Sequence, residues 1–206
     1  MPEQLRRLPM FPLGTVVFPG GHLPLHVFEA RYRALVAECL ASGSGFGVVL
    51  ITRGSEVGGG DQRVDVGTEV RIEAAQPLED GRWALLARGV GRIEVAQWLE
   101  DAPYPCAMVR DRHDAGLAVA PDTARRAGAA IARARALAEE LGHALVGPAP
   151  GSDASGTDGL WRLCDAVPFG AFDRQRLLEA PDPRARGELL VSLAEALGDD
   201  LAAMLR

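Results

Sequence analysis

The stretch that decides the fold is Leu8-Pro9-Met10-Phe11-Pro12-Leu13-Gly14-Thr15-Val16-Val17-Phe18-Pro19-Gly20-Gly21-His22-Leu23-Pro24-Leu25-His26-Val27-Phe28, which contains no Asp, Glu, Lys or Arg. With Arg6-Arg7 in front of it, it superficially resembles a signal peptide or a membrane span. Four prolines (Pro9, Pro12, Pro19, Pro24) and the glycines Gly14, Gly20 and Gly21 break any helix long enough to cross a bilayer. No small-residue cleavage pattern follows, and the next segment is charged and amphipathic. The stretch therefore predicts buried extended strands, Thr15–Phe18 and Leu23–Val27, joined by a Pro19-Gly20-Gly21 turn. It also predicts a cytoplasmic chain with no membrane partner.

Downstream, Phe28 to Ala41 repeats apolar residues at helical spacing (Phe28, Tyr32, Leu35, Val36, Cys39, Leu40). Glu29 and Arg33 pair at i,i+4 on the other face, and Gly43 supplies a stop. Phe46–Thr52 is a short apolar run typical of a buried strand, and Arg53–Asp65, with Gly58-Gly59-Gly60, reads as a loop. Val66, Thr68, Val70, Ile72 and Ala74 alternate with Gly67, Glu69, Arg71 and Glu73, the pattern of a sheet with one wet face. Asp80-Gly81 predicts a hairpin before Trp83–Ala87. Gly89 and Gly91 allow a bend, after which Arg92–Trp98 and Tyr104–Arg110 continue a meander able to close its edges as a small barrel.

Beyond Asp114-Ala115-Gly116 the period changes from 2 to 3.6. Thr123–Leu141 forms one helix, with Ala127, Ile131, Ala134, Ala138 and Leu141 on one stripe. Gly147–Gly159 is a Pro- and Gly-rich breaker. Leu160, Leu163, Cys164 and Val167 form a short helix stopped by Pro168, and Asp173 is placed to cap another carrying Leu177 and Leu178. Asp182-Pro183 starts the last helix, with its stripe on Leu189, Leu190, Leu193, Leu197, Leu201 and Met204. The expected architecture is α+β: a β-rich domain over residues 1–115 with one inserted helix, then a four-helix domain over residues 116–206.

Composition narrows the function. Of the 206 residues, 48% are hydrophobic and 24% charged, an ordinary globular balance, and the net charge of −6 disfavours nucleic acid and anionic membranes. All 22 basic residues are Arg. Without any Lys there is no Walker A loop, no Schiff base and no Ser-Lys dyad. Cys39, Cys106 and Cys164 are widely spaced, which argues against a disulfide framework or zinc site and for a reducing compartment. No nucleophile elbow and no H-E-x-x-H motif is present, and Gly43-Ser44-Gly45-Phe46-Gly47 has the wrong spacing for a dinucleotide fingerprint. His22 and His26 are four apart, but Pro24 between them prevents a helical metal face. The cluster Arg125, Arg126, Arg133 and Arg135 reads as a solvated helix face. No catalytic residue, metal or cofactor is expected.

The segments Leu8–Gly20 and Leu23-Pro24-Leu25-His26-Val27-Phe28-Glu29-Ala30-Arg31-Tyr32-Arg33 resemble the Lon N-terminal (substrate-binding) domain, the second matching the pattern P-L-x-[IV]-F-E-x-R-Y of its stand-alone members. Val66-Gly67-Thr68, Asp80-Gly81-Arg82, Leu86–Ile93 and Asp173–Glu179 are similar to further pieces of that family, so the resemblance spans nearly the whole chain. It implies a PUA-like β-barrel followed by a helical bundle. It also implies binding of unfolded proteins or peptides rather than cleavage, since chain length and the missing Lys exclude the ATPase and Ser-Lys protease of full-length Lon. Two alternatives stay open: a hydrolase with an unmarked site, and a nucleic-acid or small-ligand binder suggested by the PUA-like fold. Oligomeric state is open as well.

Partner-binding candidates are turn residues expected to be partly exposed: Phe18, His22 and Leu23 around Pro19-Gly20-Gly21, and Phe169 and Phe172 around Gly170. The family-motif residues Phe28, Glu29, Arg31 and Tyr32 are expected to be structural. Tyr32 packs, while Glu29 and Arg31 tie the helix start to the sheet.

Overall fold

The proline-studded N-terminal stretch forms two strands, β1 (Arg6–Leu13) and β2 (His22–Val27), in a computed structural model that describes residues 4–53, 62–114, 118–143 and 156–206. The first strand lies upstream of the expected Thr15–Phe18. In that segment the Val17 carbonyl accepts instead from the buried Thr68 hydroxyl at 2.6 Å. β1 is buried on both faces: Leu8 and Met10 join one apolar cluster, Phe11 and Leu13 the other. Burial on both faces accounts for a continuous apolar run where a half-wet strand would alternate.

Helix α1 (Ala30–Ser42) follows β2 and ends at Gly43, whose φ of +68° is the left-handed cap that glycine adopts without strain. It buries Tyr32, Leu35, Val36 and Cys39 against the sheet. Strands β3 (Phe46–Arg53), β4 (Gln62–Pro77), β5 (Trp83–Trp98) and β6 (Cys106–Asp111) complete the first unit, Met1–His113. The sheet order is β2-β5-β4-β3-β1-β6, and β5 also pairs with β6. Five strands therefore close into a ring, with β1 and β3 parallel and the other pairs antiparallel.

The closure depends on β5, which is one strand of 16 residues and not the expected two. One of its edges follows β4 from Trp83 to Glu94. The other holds β2 at Trp83–Arg88 and β6 at Ile93–Trp98. The change of partner falls at Gly89 and Gly91, where the register with β4 shifts. A Cβ on Gly89 would lie 2.3 Å from the Phe18 carbonyl oxygen, so the chain before β2 can cross β5 only there. Gly20 donates to Gly89 O at 2.8 Å, and Gly89 N donates to Gly21 O at 2.9 Å. This crossing drives Phe18 into the core at 0% exposure and Leu23 at 6%, correcting the expectation that both are partly exposed.

The second unit, Asp114–Arg206, holds α2 (Pro121–Glu140), α3 (Gly156–Asp165), α4 (Ala171–Glu179) and α5 (Pro183–Met204). α2 buries Thr123, Ala127, Ile131, Ala134 and Ala138. The Asp182 carboxylate accepts from Ala185 N at 2.8 Å, with Pro183 in the first turn of α5. α4 starts from Gly170, so Asp173 lies inside its first turn and pairs with Arg176 rather than capping. The buried face of α5 runs through Arg186, Gly187, Leu190, Val191, Ala194, Gly198 and Leu201, rotated from the expected leucine stripe, and Met204 is exposed. The α2 arginines are engaged: Arg125 with Asp122, Arg126 with Glu188, Arg133 with Asp199, and Arg135 with the Ala166 carbonyl. The loop expected at Arg53–Asp65 and the breaker Gly147–Gly159 lie largely outside the described residues.

No described helix is long and apolar enough to cross a membrane.

Candidate functional site

Alternation along β2 sets the site. Leu23 and Val27 are buried and Leu25 half-buried, while His22, Pro24, His26 and the following Phe28 are exposed. Pro24 stands opposite Leu86 of β5 and has no N–H to give. Proline is tolerated within a sheet where its nitrogen faces away from the neighbouring strand. The peptide groups of His22, Pro24 and His26 therefore point to the free edge of β2.

That edge borders a pocket of about 200 Å³. Pro24 to Val27 form one wall, Phe28 and Glu29 the rim, and Phe11, Leu13 and Tyr32 the remainder. None of the β5 residues paired with β2 lines it, which places it on the unpaired side of the strand. Phe11 and Tyr32 are stacked with centroids 3.9 Å apart and planes 8° from parallel. Phe28, 56% exposed, is the large apolar side chain left in water here. It falls outside α1, which begins at Ala30, and continues the outward parity of β2.

The charged residues at the rim neutralise each other. Arg31 Nε donates to Glu29 Oε2 at 3.1 Å, and the Arg31 guanidinium lies 4.5 Å from the Tyr32 ring centre. Glu29 is the residue before the helix, its carboxylate makes no capping bond, and its pair with Arg31 braces the first turn. On the other side of β2, a shallower depression of about 280 Å³ spreads over Pro24, His26, Ala74, Ala84 and Leu86. Beyond it, His22 Nε2 lies 3.4 Å from Glu73 Oε2.

Of the residues expected from sequence, the structure brings Phe28, Glu29 and Tyr32 to this pocket, with Arg31 beside it. His22 is exposed but does not line it, and Phe18 and Leu23 are core. Phe169 is half-buried and Phe172 65% exposed, both in the second unit. Sequence reasoning missed Phe11, Leu13, Pro24 and His26. The period of 2 through His22, Pro24 and His26 was the signal that Phe28 also points outward.

The ionisable side chains of the lining are His26, Glu29 and Tyr32. The described lining contains no Ser, Thr or Cys, and the described residues hold no cluster suited to a metal ion. All three thiols are buried and protonated: burial pushes Cys164 up to about 12 and also raises Cys39 and Cys106, the last partly offset by Arg7. Tyr104, raised by burial and by its bond to Glu38, is held as a neutral phenol.

Comparisons with known proteins agree with this architecture. Residues 7–196 match the model of the ATP-dependent protease La (LON) substrate-binding domain. The chain is 33% identical over 104 residues to Lon protease 2 of Myxococcus xanthus, an alignment covering 50% of this chain and 13% of that protein. It is 26% identical over 131 residues to a LON peptidase N-terminal domain and RING finger protein of Schizosaccharomyces pombe, covering 58% of this chain and 27% of that protein. The chain thus spans about a quarter or less of the curated relatives it matches. Among solved structures, a Lon N-terminal domain protein from Xanthomonas campestris superposes with a TM-score of 0.66 at 31% identity, covering 91% of this chain and 98% of that one. The N-terminal domain of a Mycobacterium avium complex Lon protease shares the fold, with a TM-score of 0.59 at 18% identity, covering 92% of this chain and 98% of that one. The chain belongs to the ATP-dependent protease La (LON) substrate-binding domain family.

Proposed function

We propose that the chain is a non-enzymatic protein- or peptide-binding module that receives unfolded or extended segments at the corner of β1, β2 and α1. The observation that carries this reading is Phe28, an exposed aromatic on the rim of an apolar pocket floored by the Phe11–Tyr32 stack. A single exposed apolar side chain is ordinary, but Phe28 adjoins an apolar recess lined by Phe11, Leu13, Leu25 and Val27, and aromatics seated in such recesses are typical anchors of protein interfaces. Membership of a substrate-binding domain family supports the same reading. The absence of Lys supports a non-catalytic role, and three buried free thiols suit the cytoplasm. We assign the binding role to the β-rich domain, residues 1–115, with residues 116–206 as a separate helical domain.

Fluorescence anisotropy of labelled, chemically denatured casein tests the proposal. Phe28→Ser should weaken binding by about tenfold or more, as loss of an interface aromatic does. Because Phe28 is exposed, its melting temperature should stay near that of the wild type. Phe172→Ser, altering the exposed aromatic of the second unit, should bind as wild type does. Neither ATP nor casein should be hydrolysed. Unchanged binding by a folded Phe28→Ser variant would reject this site, and no binding by wild type would reject the function.

A further inference from the structure

We propose that the bound segment adds to β2 as a strand, so that the partner is an extended, uncharged stretch of another protein that places one bulky apolar side chain in the pocket. This rests on the binding role proposed above and specifies how that role is carried out.

Three observations support it. The first is the open edge. Among the described residues, β1, β3, β4 and β6 each pair on both sides, β5 pairs with β4 and then with β2 or β6, and β2 pairs with β5 alone. His22 and His26 offer an N–H and a C=O along the free edge, and Pro24 between them offers a C=O. Main-chain groups repeating at roughly 6.6–6.8 Å, two residues of strand, are met by another strand and by no helix or compact ligand.

The second is the pocket's size and charge. At about 200 Å³ it is smaller than the roughly 300–1,000 Å³ typical of small-molecule sites, and it accommodates a side chain or two. Affinity beyond that must come from the edge. The Glu29–Arg31 pair leaves no net charge at the rim to recruit an acidic or basic segment.

The third is Pro24, which selects against a second copy of this chain. In the symmetric antiparallel pairing of two β2 strands centred on Pro24, which gives the longest overlap, Pro24 would face Pro24 and that pair would lose both of its N–H···O bonds. A foreign segment with any other residue opposite Pro24 loses only one and still donates to the Pro24 carbonyl. Proline on an edge strand is a known guard against self-pairing.

The test uses short fluorescent peptides alternating Thr and Val about one Phe, with Lys at both ends for solubility. Two further versions are N-methylated at alternate residues, one set on each edge of the extended peptide. A strand bonds through one edge, so one methylated set should bind within about threefold of the parent and the other should weaken by about tenfold or more. His26→Pro removes an edge donor without touching the β2–β5 ladder. It should weaken the parent peptide comparably, while Phe172→Ser, in the second unit, should bind it as wild type does.

Equal affinity of the two methylated sets, with the parent peptide and denatured casein still bound, would overturn strand addition and leave the binding role standing. Failure of casein and all peptides to bind wild type would overturn both. A wild-type dimer in analytical ultracentrifugation that His26→Pro dissolves would make a second copy the occupant and overturn the assignment to a foreign segment. The methylation comparison is made on wild-type protein, so it decides the matter even where a variant fails to fold.

Discussion

Asp114→Ala is expected to destabilise the second unit by about 3–5 kcal/mol, the cost of stripping the partner from a buried charge. The charge is Arg186, which is 0% exposed. Its guanidinium donates to the two Asp114 carboxylate oxygens at 3.0 and 2.7 Å and to the carbonyls of Leu177 and Ala180 at 3.2 and 3.4 Å. It also lies 3.7 Å from the centre of the Trp161 ring. Four acceptors and an aromatic face satisfy a group that is otherwise very costly to bury. With Asp114 gone, the positive charge stays in place with its main counter-ion missing. Urea denaturation followed by helical circular dichroism measures the loss. The double variant Asp114→Ala/Arg186→Met should recover much of it, because an apolar side chain of similar length needs no counter-ion. A single-variant loss below about 1 kcal/mol would place the pair among weakly contributing surface bridges.

Tyr32→Ala is expected to cost the first unit a similar amount, about 3–5 kcal/mol, as large-to-small changes of core aromatics do. The ring is 3% exposed, stacked on Phe11 and packed in the cluster between α1 and the sheet. Its removal opens a cavity beside Phe11 and strips that ring of its stacking partner. Phe28→Ser should leave stability unchanged while reducing binding, so the two substitutions separate scaffold from site although they are four residues apart. A Tyr32→Ala variant with an unchanged urea midpoint would show that the stack contributes little to the core.

Much of the fold can be read from residue patterns because local and tertiary preferences agree. Asp182-Pro183 starts α5 with a side-chain cap and a proline in the first turn, and Asp80-Gly81 makes a turn, with Gly81 at φ +78°. The alternation at Val66–Ala74 marks a strand. Where readings diverged, long-range partners decided the outcome. Phe18 follows the same apolar grammar in a turn as an exposed residue would, and only the passage of the chain over Gly89 buries it. The rotated face of α5 follows from Arg186, whose burial is set by Asp114, distant in sequence and not readable from helical periodicity. The site was half legible. Its motif segment stands out, but Phe28 alone fits both a period of 3.6 and the end of a period of 2, and only the start of α1 at Ala30 decides between them. Phe11 and Leu13 reach the pocket through parallel pairing of β1 with β3, which no local pattern announces.

We place binding at the free edge of β2 and the pocket beside it. Amide chemical-shift mapping of the isotope-labelled full chain, titrated with the Thr/Val/Phe peptide, tests this most directly. Saturable shifts are expected at Leu25, His26, Phe28, Glu29 and Tyr32, with Phe11 and Leu13 also moving. Shifts centred instead on Phe169 and Phe172, or on the opposite wall of the barrel, would contradict it.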